Sequence, residues 1–262
     1  MQYQNSGDPA PAPATREGGL ARATHVLDFL HAHGRPVSTG DLARGLGAPR
    51  STIYSLVRAM TDCGLLGVAD AEGRLYFGRK LYLWGMDYMR ENALVRQGRR
   101  AVDELAVETG ETSELCMLTE GRYTIIHMCP GARPFRISSA VGLQIPLPWT
   151  ASGRLLLSGL DRAAIDRLVS DADLQLPDGR SIDRDQFHAE IAQAADLGQV
   201  VTSGLVDAMT KCLAVPIRGT GGQVAATLCL VLPIDIAETQ VLRLIELLRR
   251  RANALSLDLE TE

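Results

Sequence analysis

No apolar run in the 262-residue chain approaches the ~20 residues that a helix needs to cross a bilayer, so no membrane partner is expected. The opening, MQYQNSGDPAPAPATREGG, lacks the basic and apolar regions of a secretory signal, which predicts a cytoplasmic location. Cysteine is sparse. Cys63, Cys116, Cys129, Cys212 and Cys229 are odd in number and have no C-x-x-C spacing, which points to reduced thiols and away from a disulfide framework or zinc site. The five histidines form no H-x-x-x-H or H-E-x-x-H pair, and G-x-S-x-G, P-loop and G-x-G-x-x-G sequences are missing. GTGGQ, at Gly219–Gln223, has no helical pattern after it and reads as a turn rather than a phosphate cradle. The expectation is a protein with no metal, no cofactor and no catalytic residues.

The chain does have enough apolar content for two domains: 46% of residues are hydrophobic and 22% charged. Residues 1–18 are rich in Pro, Ala and Gly and predict a disordered arm. In the stretch STGDLARGLGAPRSTIYSLVRAMTDCGLL, Ser38 followed by Asp41 is a variant capping box opening a helix that carries Leu42 and Leu46, and Gly47 ends it. Pro49 suits the first turn of a second helix, because its missing N–H costs nothing there. Ile53, Leu56, Val57 and Met60 then form one apolar stripe, which leaves Arg50, Ser51, Tyr54, Ser55 and Arg58 on the opposite face. A helix, a glycine turn and a second helix with donors on its free face is the helix-turn-helix pattern, although an ordinary helical hairpin would show the same spacing.

The following segment, GLLGVADAEGRLYFG, reads as two short strands about a turn, and Ala23, Val26, Leu27 and Leu30 supply an upstream helix. Together these predict a winged helix-turn-helix over residues 19–79. Its candidate DNA contacts are Ser38, Thr39, Pro49, Arg50, Ser51, Thr52, Tyr54, Ser55 and Arg58, with Arg74 on the wing. Arg50, Ser51 and Tyr54 lie nearest base edges, and Thr52 and Arg58 are the phosphate candidates. Residues 1–80 hold nine Lys/Arg against seven Asp/Glu, a net of +2, and the remainder holds eighteen against twenty-four, a net of −6. The sign of this asymmetry suits a DNA reader joined to an acidic body.

A helix over residues 80–93, with Leu81, Trp84 and Tyr88, predicts a rigid linker and dimer seam. Residues 94–262 alternate helical and extended patterns. They comprise a helix to Thr109, a hairpin of Ser113–Leu118 and Tyr123–Met128, an extended FRISSAVGLQIPLP stretch, a helix starting at Thr150 or Ser152 and another in DRAAIDRLV. The apolar strands Cys212–Ile217 and Val224–Leu232 and a long C-terminal helix complete an α+β domain around a curved antiparallel sheet.

RATHVLDFLHAHGRPVSTGDLARGLGAPRSTIYSLVRAMTDCGLL resembles the N-terminal domain of IclR-type transcriptional regulators. PLPWTASGRLLLSGL and CLAVPIRGTGGQVAATLCLVLP resemble that family's two effector-domain signatures. The resemblance implies a winged helix-turn-helix, a linker helix and a GAF-like effector-binding domain, assembled as a homodimer or dimer of dimers on a double-stranded DNA operator. It also implies a small-molecule effector held between Trp149, Ala151, Ser152 and Gly153 and the strands bearing Cys212, Thr227, Cys229 and Val231. Helix-start amides at Ala151–Gly153 suit a carboxylate. Family members that bind small polar acids tend to have serine where this chain has Cys229 and Val231. With Trp149 and Met128 as added apolar walls, the implied effector is an aromatic or longer organic acid.

Two other readings compete. One is an enzyme using Cys129 or Cys212 with His127, which shares a strand face with Cys129; no acidic third member is evident nearby in the sequence. The other is a DNA-binding dimer with no effector.

Overall fold

The computed structural model describes residues 18–119, 121–132, 140–142 and 144–261. The expected arm, apart from residue 18, lies outside the described residues, and so do residues 135–139 and 143 of the extended stretch beginning at Phe135. The chain divides into two compact units between Tyr88 and Met89.

In the first unit, α1 (Gly19–His33), α2 (Thr39–Gly45) and α3 (Arg50–Asp62) are followed by β1 (Leu66–Val68) and β2 (Leu75–Phe77). The Ser38 side chain accepts the Asp41 N–H at 3.1 Å and donates to the Asp41 carboxylate at 2.7 Å, so the two residues cap α2 reciprocally. Gly47, at φ 60, supplies the left-handed turn between α2 and α3. Pro49 stands one position earlier than the first turn: it is the N-cap of α3, extended at ψ 134. Val26, Leu30, Leu42, Ile53, Val57 and Met60 close into one core with Leu66 and Leu75. Burying each large aliphatic contributes roughly 1.5–3 kcal/mol, which a two-stranded wing alone could not supply. Val37 and Leu75 exchange both backbone hydrogen bonds, at 3.0 and 2.8 Å, which ties the wing to the segment between α1 and α2.

The helix α4 (Arg79–Glu91) contains the boundary between the units and has no buried residue. Tyr82, Leu83, Trp84, Met86 and Tyr88 are all exposed, and Lys80 Nζ lies 5.2 Å from the centre of the Trp84 ring.

The second unit is built on a six-stranded antiparallel sheet in the order β5-β4-β3-β8-β7-β6. The strands are β3 (Thr112–Thr119), β4 (Arg122–Cys129), β5 (Gln144–Ile145), β6 (Val200–Ser203), β7 (Thr210–Arg218) and β8 (Val224–Pro233). Residues alternate between the two faces. Leu115, Leu213, Val215, Leu228, Leu230 and Leu232 face α5 (Ala93–Thr109) and the long α9 (Glu238–Thr261). Cys116, Tyr123 and Ile125, with Cys212, Ala214, Cys229 and Val231, face α6 (Ala151–Leu157), α7 (Arg162–Leu168) and α8 (Arg184–Leu197). The strands β7 and β8 are therefore buried on two sides, and this accounts for their long apolar runs.

Candidate functional site

In the first unit, α3 buries Ile53, Val57 and Met60 and presents Arg50, Ser51, Tyr54, Ser55 and Arg58 to solvent, with Thr52 half-buried. Tyr54 is 56% exposed, so its ring and hydroxyl are accessible from solvent. Arg58 lies 4.0 Å from Asp62 one turn on, an exposed pair worth little by itself, so the guanidinium remains available to a phosphate. Other candidates are already engaged. The Ser38 hydroxyl serves the α2 cap, Thr39 is half-buried at the first position of that helix, and Pro49 caps α3. Arg74 donates to Asp70 at 2.7 Å and Glu72 at 3.3 Å, so a phosphate at the wing would have to displace two carboxylates.

In the second unit, a cavity of about 350 Å³ opens between the sheet and the start of α6. A single turn of 3-10 helix, Leu147–Trp149, leads into α6, whose N-cap Thr150 accepts the Gly153 N–H at 2.8 Å. Trp149 Nε1 donates to the Asp173 carbonyl at 2.8 Å, which fixes the indole as one wall. The Asp173 side chain is pinned in turn: against the opposing cost of burial, hydrogen bonds from Ser170 and Arg122 hold its carboxyl below the usual range. Arg154 is 5% exposed and supports this corner from below. Its guanidinium donates to the Pro148 and Thr150 carbonyls at 3.1 and 2.9 Å, pairs with Glu190 at 2.6 Å, and lies over the Phe187 ring.

Of the nine residues expected around an effector, Trp149, Ala151, Ser152, Cys212, Cys229 and Val231 line this cavity. Gly153 does not. Its N–H is taken by Thr150, and a Cβ there would stand 2.0 Å from the Leu147 carbonyl oxygen, so the glycine serves a close backbone approach. Thr227 is fully buried opposite Cys116 in the β3–β8 ladder, and Met128 packs into the core beside Glu114. Neither reaches the cavity lining.

Five polar lining residues had not been expected: Glu114, Tyr123, Thr150, Asp207 and Thr210. Glu114 is 3% exposed and accepts the Tyr123 hydroxyl at 3.2 Å, and that hydroxyl also lies 2.9 Å from Cys116 Sγ. These groups add polar surface to a cavity whose floor was expected to be less polar. A signal for it stood in the sequence: Glu114 occupies the same alternation as Cys116, next to the apolar run Leu115–Leu118, and a carboxylate is seldom fully buried unless it is paired.

The cysteine-enzyme reading also meets the structure directly. An acidic neighbour does exist: Asp103 Oδ1 lies 2.8 Å from His127 Nε2, a pairing hidden from the sequence because the two are 24 positions apart. The same carboxylate stands beside Cys129 and, together with burial, pushes that thiol up rather than activating it. Burial, with the nearby Glu114, holds Cys116 well above its ordinary value. The hydrogen bond to Cys212, with burial, does the same for Cys229. No group of three or more His, Cys, Asp or Glu among the described residues is placed to hold a metal ion, and no described helix is long and apolar enough to cross a membrane.

Comparisons with known proteins agree with this geometry. Residues 19–68 match the IclR helix-turn-helix domain, and residues 86–257 match the C-terminal domain of bacterial IclR transcriptional regulators. The HTH-type transcriptional regulator XynR of Escherichia coli is 23% identical over 212 residues, 80% of this chain and 84% of that protein. Among solved structures, an IclR transcriptional regulator from Alicyclobacillus acidocaldarius superposes with a TM-score of 0.79 at 22% identity, covering 91% of this chain and 97% of the other. An IclR homologue from Microbacterium hydrocarbonoxydans, solved in complex with 4-hydroxybenzoate, gives a TM-score of 0.79 at 22% identity over 94% and 100% of the two chains.

Proposed function

Because the chain belongs to the IclR family of bacterial transcriptional regulators, we propose that it controls a catabolic or metabolic operon by binding an operator through α3 and responding to a small organic acid, aromatic in the favoured case. It is a DNA-binding regulator with an effector-binding domain, not an enzyme. The observation that carries the proposal is the division of α3 into a buried aliphatic stripe and a solvent face of two arginines, a tyrosine and two serines. Arg50, Ser51 and Tyr54 read base edges in the major groove, and Thr52 and Arg58 hold phosphates. One such unit contacts little DNA, so two or four copies act together on a palindromic site, and the exposed Trp84 and Tyr88 face of α4 is the seam between them. By this reading residues 19–79 form the DNA-binding domain, 80–93 the linker and 94–262 the effector domain, and the protein works in the cytoplasm.

The effector occupies the cavity beside Trp149. Its ring lies against the indole and the side chains of Ile125, Ile145 and Val231, and its acid group meets the Ala151 and Ser152 amides, which precede the first hydrogen bond of α6, together with the buried Ser152 hydroxyl. The related structure solved with 4-hydroxybenzoate supports an aromatic acid of this size. Trp149→Ala and Ser152→Ala are expected to weaken binding of 4-hydroxybenzoate by about tenfold or more, as loss of a packed aromatic wall or a buried hydrogen bond would, while operator affinity stays at the parent value. Calorimetry that finds the ligand affinity unchanged in both variants would remove the pocket assignment.

A further inference from the structure

We propose that the second unit carries a further ligand site, separate from the cavity beside Trp149, and that it takes a neutral polyhydroxylated molecule such as a monosaccharide or a sugar alcohol. A cavity of about 470 Å³ lies between one face of α8 and the outer edge of β6. The helix contributes Gln186, Glu190, Gln193 and Leu197, whose spacings of three and four put them in line along one face. Gln199, just before β6, adds a third amide. Its Oε1 is buried and has no hydrogen-bond partner among the described residues. A buried amide oxygen left in this way carries a desolvation cost, which a donor brought by a ligand offsets.

The edge of β6 adds backbone groups. This strand ends the sheet, and among the described residues only β7 pairs with it. The Gly204 N–H donates to the Thr210 carbonyl at 2.9 Å, in register with the β6–β7 ladder. The alternation of an antiparallel pair then turns Val200 and Thr202 toward β7 and the N–H and C=O groups of Val201 and Ser203 outward. Both of these outward residues line the cavity. Past Ser203 the edge is closed by Arg180, which donates to the Gly204 and Leu205 carbonyls at 3.1 and 2.8 Å, so the open stretch is too short to seat another strand.

Charge narrows the class of ligand. Arg154 and Glu190 are the charged residues of this lining, and they pair with each other at 2.6 Å. Arg154 also donates to the Pro148 and Thr150 carbonyls, and Glu190 accepts from Gln186 at 3.2 Å, so each charge is already matched. A ligand carboxylate would lose its water here and meet no free cation. An apolar ligand would strip water from the Gln199 oxygen and the β6 edge without replacing it. A hydroxyl both donates and accepts, and two neighbouring hydroxyls match the acceptor and donor of one primary amide. At the ~30 Å³ that a water molecule occupies in the liquid, the cavity has room for on the order of fifteen non-hydrogen atoms, the scale of one monosaccharide.

The test uses the full chain and ligand-observed NMR titrations with D-glucose, D-glucitol and D-gluconate, the last carrying a carboxylate where glucitol has a terminal hydroxyl. At least one of the two neutral probes should bind at millimolar concentration, and about tenfold more tightly than gluconate. Gln199→Met, which keeps the length of the side chain and removes its amide, should weaken that probe about fivefold or more, as loss of a buried hydrogen bond would. Gln193→Ala, at an exposed position of α8, should weaken it about threefold. Trp149→Ala should leave it unchanged, because the effector cavity is a different one. Failure of both neutral probes to bind at tens of millimolar, or gluconate bound as tightly as glucitol, overturns the proposal. So does a folded Gln199→Met protein with the parent affinity or, where that variant does not fold, parent affinity in Gln193→Ala. Loss of sugar binding in Trp149→Ala would place the sugar in the effector cavity and overturn it as well.

Discussion

Replacing Arg50 and Arg58 together with alanine is expected to lower operator affinity at least about thirtyfold while leaving the thermal unfolding of the protein nearly unchanged. Arg50 begins α3 on its solvent side, where a guanidinium that forms a bidentate contact to a guanine contributes about 1–3 kcal/mol of discrimination. Arg58, two turns further along the same face, is placed for a phosphate, and removing such a contact also lowers the salt slope of binding by about one unit. Neither side chain supports the core beneath: both are exposed, and the single ion pair lost, Arg58 with Asp62, is of the exposed kind that adds a few tenths of a kcal/mol. The two single variants should also differ in kind, Arg50→Ala relaxing sequence preference at one base position and Arg58→Ala weakening all sequences alike. Fluorescence anisotropy over a salt series checks both. Parent-like binding in both single variants would mean that this helix does not read the DNA.

Phe187→Ala should destabilise the second unit by about 3–5 kcal/mol and abolish the effector response with it. Phe187 is 1% exposed and packs in the core under α6 and α7. Its ring also forms a platform for the Arg154 guanidinium, 5.3 Å from its centre, and that guanidinium grips the Pro148 and Thr150 carbonyls on either side of Trp149. Removing the ring leaves a cavity and loosens the clamp that sets the pocket wall. Phe187→Leu, which refills much of the volume, should recover most of the stability and less of the ligand affinity, because a leucine offers no aromatic face to the guanidinium. Urea unfolding of the two variants measures the first effect and calorimetry the second. A loss below about 1 kcal/mol for Phe187→Ala would show that this region repacks freely and that the clamp is not needed.

The residues differ in how far the sequence alone could place them, and the difference follows the range of the interactions. The Ser38–Asp41 cap, the glycine turn and the Ile53–Val57–Met60 stripe are contacts within a few positions, and the structure has them where periodicity puts them. The inner strands were likewise legible, since burial on both faces writes itself as a continuous apolar run. The edge strand β6 is four residues long with no buried residue, and α8 has a weak stripe carried by Phe187, Ile191 and Ala194, so neither is marked by a strong local pattern. Around the pocket, Cys229 and Val231, placed through the family resemblance, line the cavity from the same face of β8. Gly153 does not line the cavity: its amide is taken by the Thr150 cap, and a Cβ there would meet the Leu147 carbonyl. The Glu114–Tyr123 and Asp103–His127 contacts join different elements, and no spacing rule encodes them.

The most direct measurement of the central claim is sedimentation of a fluorescent operator fragment with the full chain, before and after a ligand of the Trp149 cavity is added. The account predicts two or four chains bound cooperatively to a palindromic fragment, little binding to a scrambled one, and a shift in that equilibrium when the ligand is present. One chain per fragment with no preference between the two sequences, or an equilibrium indifferent to a ligand shown to occupy the cavity, would contradict it.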